Sequence, residues 1–278
     1  MRFVLTLFTA AAAIYGFWWF SSTRPELRDR VEDFLHTQSF RTLEVRFTAP
    51  QIMESHRREL LKTARHKYLE PKLTFYPYLL MEIKYRHSDD ETREGIVLWD
   101  LVDGEMVIDT KNWLKTHGFG DCLNADAERH EFNILNVLAK KGGSCDREGL
   151  SKALHVENET LDSWIESCRR KKLIVQTGNR YRLHMQHPNL KTYPETKIEE
   201  RLVTQATQHA DRISRHYSLG QIQRLAKAAF GQDFTIRRTT DLYLPVHCII
   251  VQNPDGSIHS SHWNALNGKR LMQTYFIE

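Results

Sequence analysis

The chain has 278 residues, 41% of them hydrophobic and 27% charged, and its 39 basic against 35 acidic residues leave a formal net charge of +4. That length supports two or three small domains, and the composition excludes an intrinsically disordered or low-complexity protein. The charge excess is spread along the chain, which excludes the concentrated basic patch of an obvious nucleic-acid binder.

In chain order, the first element is apolar. Residues Phe3 to Phe20 carry no charge and would make about 27 Å of helix at ~1.5 Å per residue, close to the thickness of a bilayer core. Trp18 and Trp19 suit the headgroup level, and Arg24-Pro25 closes the segment. A cleaved signal peptide is the competing reading, since Ala11-Ala12-Ala13 offers a small-residue site, but cleavage there leaves Ile14 to Phe20 as an exposed apolar end. The expectation is a single-pass anchor over residues 1–22, contacting the membrane through 3–20, with a linker over 23–39. Arg24, Arg28 and Arg30 outnumber the one preceding arginine, Arg2, and favour a cytoplasmic body; an extracytoplasmic body is the alternative.

Residues 40–124 read as an α+β module. Pro50 suits an early helical position, and Ile52, Leu60, Leu61, Ala64 and Tyr68 recur at helical spacing. Leu79, Met81, Ile83 and Tyr85 then alternate with Tyr78, Leu80, Glu82 and Lys84, the period of a half-buried strand. The module ends in LWDLVDGEMV, where Asp103-Gly104 predicts a tight hairpin turn. HWNALNGKRL, from His262 to Leu271, spells the same idea again, with Trp263 for Trp99, Asn264 for Asp100 and Asn267-Gly268 for Asp103-Gly104.

Residues 125–190 predict three helices and a hairpin. EFNILNVLAKKGG places Phe132, Leu135 and Leu138 on one stripe, CDREGLSKALHV follows, and ENETLDSWIESCRRKKL is expected to be capped by Asn158 with Leu161, Trp164, Ile165 and Cys168 inward. LIVQTGNRYRL gives two short strands around Thr177-Gly178-Asn179. This order of elements resembles a winged helix-turn-helix domain. Such a resemblance implies DNA recognition by the third helix, but its outward Glu159, Asp162 and Glu166 would repel phosphate. The basic residues Arg169 and Arg170 sit at the helix C-terminus, where they also favour the dipole, and Arg180 on the wing reaches a backbone only locally. The expectation is a protein-interaction module, with a membrane-tethered transcription regulator as the alternative.

Residues 191–278 repeat the module of 40–124. Ser218 can cap a helix carrying Leu219, Ile222, Leu225, Ala226, Ala229 and Phe230, and YLPVHCIIVQN answers FYPYLLMEIKY. The stretch from Gln221 to Leu271 resembles PepSY-type modules, which run helix, strand, strand with an internal Asp-Gly, then a closing strand; Asn264 stands where that pattern has Asp. The resemblance implies a binding or inhibitory role. The two copies are small and are expected to pack on each other, the middle domain projecting as an insertion.

No catalytic, cofactor or metal site is predicted. The chain lacks HExxH, Walker and Rossmann patterns, and Cys122, Cys145, Cys168 and Cys248 form no zinc spacing; they permit two disulfides but read as isolated thiols. The predicted fold is thus α+β, with a transmembrane helix, two duplicated helix-plus-meander modules and an inserted winged helix. The predicted function is that of a noncatalytic scaffold with an unidentified protein partner. Trp99 and Trp263 are candidate contacts, but their simpler role is to anchor the core of each module.

Overall fold

The computed structural model describes residues 39–87, 91–185, 188–190, 193–208 and 210–271; the apolar segment Phe3 to Phe20 lies outside them. No helix among the described residues is long and apolar enough to cross a membrane. The architecture is α+β, with a curled ten-stranded mixed sheet and a separate three-stranded sheet.

The N-terminal half starts with β1 (Ser39–Leu43), helices α1 (Ala49–Ser55) and α2 (Arg57–Leu60), and β2 (Lys67–Tyr68). The helical spacing therefore ends earlier than expected: the chain leaves the helix at Leu61, and Tyr68 is in a strand. The long strand β3 (Lys72–Arg86) turns back into β4 (Thr92–Asp100), followed by β5 (Met106–Asp109), β6 (Leu114–Lys115) and α3 (Phe119–Asn124). In the middle come α4 (Arg129–Lys140), β7 (Ser144–Asp146), α5 (Arg147–Leu154), α6 (Asn158–Arg170), β8 (Ile174–Thr177) and β9 (Arg180–Leu183). The C-terminal half has β10 (Leu202–Ala206), β11 (Asp211–Arg212), α7 (Leu219–Phe230), β12 (Thr235–Gln252) and β13 (Ile258–Asn264).

The large sheet runs β10-β1-β12-β3-β4-β5-β6, with β11 on β3 and both β2 and β13 on β12. Its centre is the antiparallel pair β3–β12, in which Phe75 faces Pro245, Tyr76 faces Leu244 and Pro77 faces Tyr243. Two aromatic-x-Pro triplets thus cross head to tail. From that point each strand continues into a matching hairpin: Leu79 pairs Trp99 on β4, and His247 pairs Trp263 on β13. Leu101 N–H donates to Pro77 O at 3.1 Å, and Ala265 N–H donates to Pro245 O at the same distance.

The turns after the tryptophans are longer than a two-residue hairpin. Asp100 N–H donates to Glu105 O and Asn264 N–H to Lys269 O, both at 2.9 Å. Inside each loop the Asp100 or Asn264 side chain accepts from the residue two further on, Val102 or Leu266. Only the glycines take a positive φ, 78° at Gly104 and 68° at Gly268, which costs an L-residue more than it costs glycine.

The helices are exchanged between the halves. α7 packs Ile222, Leu225, Ala226 and Ala229 with Leu79, Met81, Ile83 and Trp99 of β3 and β4, whereas Ile52 and Leu60 of α1 and α2 pack with Ile249, Val251 and Trp263 of β12 and β13. Each of the buried leucines and isoleucines among them contributes about 2 kcal/mol. The lead-in strands are exchanged as well: Thr42 of β1 faces Tyr243, and Arg212 of β11 faces Phe75, both in parallel. Arg46 and Phe47 N–H donate to Ala265 O, and His216 and Tyr217 N–H donate to Leu101 O. Both helices start with the same reciprocal cap, Thr48 N–H donating to Gln51 Oε1 at 2.8 Å and Ser218 N–H to Gln221 Oε1 at 2.9 Å.

β3 is buried on both faces from Thr74 to Met81, unlike the half-buried strand that alternation suggested. Leu79, Met81, Ile83 and Tyr85 enter the core under α7, while Tyr76, Tyr78 and Leu80 join Leu43, Leu98, Val107, Leu242 and Leu244 on the opposite side. The middle segment shares the first of these cores, since Phe132 and Leu135 of α4 join Phe119 and Leu225. It is seated on the sheet rather than projecting from it.

The glycine in each Trp-containing turn lies under an aromatic ring of the other half. A Cβ on Gly104 would come 2.5 Å from Leu123 Cδ1 and 2.9 Å from Tyr217 Cε2, whereas one on Gly268 would meet Phe47 Cδ1 at 3.2 Å. Gly104→Ala is expected to cost about 3 kcal/mol and Gly268→Ala about 1 kcal/mol, both from the positive φ and the first also from overpacking. Urea denaturation checks this; equal losses would show that the two turns are not packed as described.

Candidate functional site

Trp99 and Trp263 are 0% and 1% exposed, so both indoles lie inside the core and neither presents a surface to a partner. Trp99 Nε1 donates to Gly104 O at 2.7 Å, tying the strand to its own turn; Trp263 Nε1 donates instead to Ser261 Oγ at 2.8 Å.

The N-terminal turn carries a buried ion triad. Lys115 Nζ on β6 lies 2.6 Å from Asp100 Oδ2 and 2.9 Å from Asp103 Oδ2. Burial works against the Lys115 charge, but the two carboxylates outweigh it and hold its pKa above the ordinary value. Two carboxylates share one ammonium here. Burial and the neighbouring Asp100 push Asp103 up to about 6. The C-terminal turn has Asn264 and Asn267 at these positions and so carries no such charge. Glu105, next in the N-terminal turn, accepts from Gly118 and Gly120 N–H at 2.8 and 3.0 Å and from Thr116 Oγ1 at 2.7 Å, which anchors α3 to the turn.

The exposed candidates from the sequence lie together on the middle segment. α4, α5 and α6 pack around Leu135, Leu138, Leu150, Leu161, Ile165 and Cys168, and the sheet β7-β9-β8 closes one side. Glu157 rather than Asn158 occupies the N-cap of α6. Glu159, Asp162, Glu166, Arg169 and Arg170 are all exposed on that helix. Asp162 is held by Arg147 in a bidentate pair with both distances 2.8 Å, and Glu166 lies 3.2 Å from Arg169 Nη1. Arg180 on β9 donates to Ser144 O and Oγ at 3.2 and 3.1 Å, so its guanidinium closes the local sheet.

Beneath this surface, Glu131 is a fully buried carboxylate that receives Lys171 Nζ at 2.8 Å, Ser167 Oγ at 2.7 Å and Glu128 N–H at 2.7 Å. Burial pushes its pKa up, but these donors outweigh burial and hold it below the usual carboxylate range. The basic end of α6 is thereby partly consumed in holding the unit together. Lys171 also donates to Asp126 O at 2.8 Å.

Among the described residues, no group of three or more His, Cys, Asp or Glu side chains is placed to hold a metal ion. All four cysteines are free thiols, and Cys122, Cys145 and Cys168 are buried. Burial pushes the Cys122 thiol well above its ordinary pKa and Cys168 up to about 12, which keeps both protonated and poor nucleophiles at neutral pH. A cavity of about 520 Å³ lies where α3 meets the end of α6, with His117, Lys172 and His184 at its rim.

Sequence reasoning did not reach the ion triad, because Lys115 is remote in sequence from Asp100 and only the strand pairing β5–β6 brings it back. It also missed the segment 194–198, which threads between β4 and β5 and carried no helical or strand signal. No family model, curated protein or solved structure matches the chain.

The folded state holds the Asp103 proton more tightly than the unfolded chain does, so this group favours folding below about pH 4. That contribution is lost as pH rises through about 6. Asp103→Asn, which copies Asn267 of the other turn, is expected to flatten the stability difference between pH 4 and pH 7 relative to the native chain. Denaturant titrations across that window test it, and an unchanged slope would mean that Asp103 ionises normally.

Proposed function

We propose that the chain is a single-pass, membrane-anchored, noncatalytic interaction scaffold. In this reading residues 1–22 anchor it, 40–124 and 191–278 are duplicated PepSY-like α+β modules, and 125–190 are an inserted winged helix that contacts a protein partner. The duplication is supported by the matched registers about Tyr76 and Leu244, and the winged-helix assignment by the order α4, β7, α5, α6, β8, β9.

The observation that carries the interaction reading is the exposed face of α6. It presents Glu159, Asp162 and Glu166, while Arg147 and Arg169 are spent on two of these acids and Arg180 on Ser144. A third helix that enters the major groove must instead offer cations to phosphate. The face suits a protein partner that reads mixed charge.

A solubilised full chain is expected to capture its partner from its own membranes, and the triple reversal Glu159→Lys, Asp162→Lys and Glu166→Lys to lose that partner while keeping its thermal melt. Duplex DNA titrated by fluorescence anisotropy at low salt is expected to give no saturable binding. Sequence-specific binding that weakens on Arg169→Ala and Arg170→Ala would replace the scaffold with the DNA-binding regulator.

A further inference from the structure

In the N-terminal half, the chain itself fills the outer edge of β4. Thr196 N–H donates to Ile96 O at 2.7 Å, Leu98 N–H donates to Thr196 Oγ1 at 2.9 Å, and Lys197 N–H donates to Ile108 O at 3.0 Å. Glu195, the residue before, lies over the sheet face. Tyr85 Oη donates to its carboxylate at 3.0 Å, and its side chain passes over Gly95.

β13 stands to β12 as β4 stands to β3, because His247 pairs Trp263 as Leu79 pairs Trp99. Counting from the tryptophans and from these partners, Ser260 takes the place of Ile96, His259 that of Gly95, and Asn253 that of Tyr85. Leu271 N–H donates to His262 O at 2.8 Å, so His262 points its backbone away from β12. Alternate residues of an antiparallel strand share a direction, so Ser260 and Ile258 also face outward. Both are exposed, Ile258 at 65%, and no described segment pairs with them there. Among the described residues this edge is open, and an open edge beside an exposed isoleucine is a template for another strand.

Next to that edge lies a cavity of about 390 Å³ with Leu60 and Val251 in its wall and Lys62, His66, His259 and Arg270 around it. Its acid, Glu59, is already engaged by Arg270 at 3.3 Å and His56 at 3.4 Å. Where the N-terminal half has Tyr85 against Glu195, the C-terminal half has the shorter Asn253, which donates to Ser257 Oγ at 2.8 Å.

We propose that the β13 edge binds an extended acidic peptide segment of a partner protein as an added strand, with a carboxylate of that segment entering the cation-rimmed cavity. The inference rests on the interaction reading above and gives it a second contact site. The N-terminal half supplies the model for the occupant: an acid followed by Thr, the first reaching over the sheet face and the second hydrogen bonding to the strand edge. Backbone pairing supplies affinity, and the cavity selects the side chain.

The probe is a fluorescent peptide copying Tyr193 to Glu199, titrated into the full-length protein in detergent and read by anisotropy. Saturable binding is expected. Ser260→Pro removes an outward amide while leaving the β12 ladder, and is expected to weaken binding about tenfold or more. The same peptide with Glu195→Lys is expected to bind the unmodified protein about tenfold more weakly. This arm needs no protein variant and so does not depend on Ser260→Pro folding. Binding that is equal with both peptides, or absent, overturns the proposal. A protein that dimerises in sedimentation and loses the dimer on Ser260→Pro would give the edge to a second copy and overturn it as well. If the membrane partner is still captured through α6 when the peptide fails, the scaffold reading stands and only this site is wrong; loss of both removes the scaffold reading too.

Discussion

The antiparallel crossing of β3 and β12 at Tyr76 and Leu244 is the constraint on which the rest of the structure depends. Each strand leaves that crossing as the first half of a hairpin, so one ladder fixes the register of both hairpins at once. A slip by one residue would turn Leu79, Met81 and Ile83 out of one core and Tyr78 and Leu80 out of the other. The prolines fit because each sits where its strand changes neighbours, and its carbonyl accepts from the opposite side of the hairpin turn.

Exchange of the helices follows from the same crossing. The strand ahead of each helix pairs with the long strand of the other half, so the helix is delivered to the other half's apolar face. Neither half then owns a complete core: β3 and β4 need α7, and β12 and β13 need α1 and α2. A unit of such size is marginal alone, and the shared elements give each half the packing that it lacks. His247 adds to the exchange, its Nε2 lying 2.9 Å from Phe47 O, with burial holding its pKa below the ordinary value.

Much of this was legible from residue pattern. Trp99-Asp100 and Trp263-Asn264 marked equivalent hairpins because tryptophan packing and turn glycines leave a local signature, and Ser218 marked its helix because capping is local. The exchange was not legible, since a sequence shows that Ile52 and Ile222 are inward but not which sheet they meet. The end of the first helical pattern was misjudged because Leu60, Leu61 and Tyr68 are apolar for different reasons, two in or beside the short helix and one in a strand beside Val251. Among the candidate site residues, the exposed charges of α6 were readable from helical spacing. The pairing of Lys115 with Asp100 and Asp103 was not, because it depends on long-range strand geometry. The two halves differ most where one buries charge and fills its edge with Thr196, while the other has asparagines and, among the described residues, no segment on Ser260.

The most direct test of the account is the contact between each turn glycine and the aromatic ring above it. Nuclear Overhauser spectra of the selectively labelled protein should connect the Phe47 ring to Gly268 Hα and the Tyr217 ring to Gly104 Hα. Cross-peaks joining Phe47 to Gly104 and Tyr217 to Gly268 would mean that each helix stays with its own half, and would contradict the exchanged architecture.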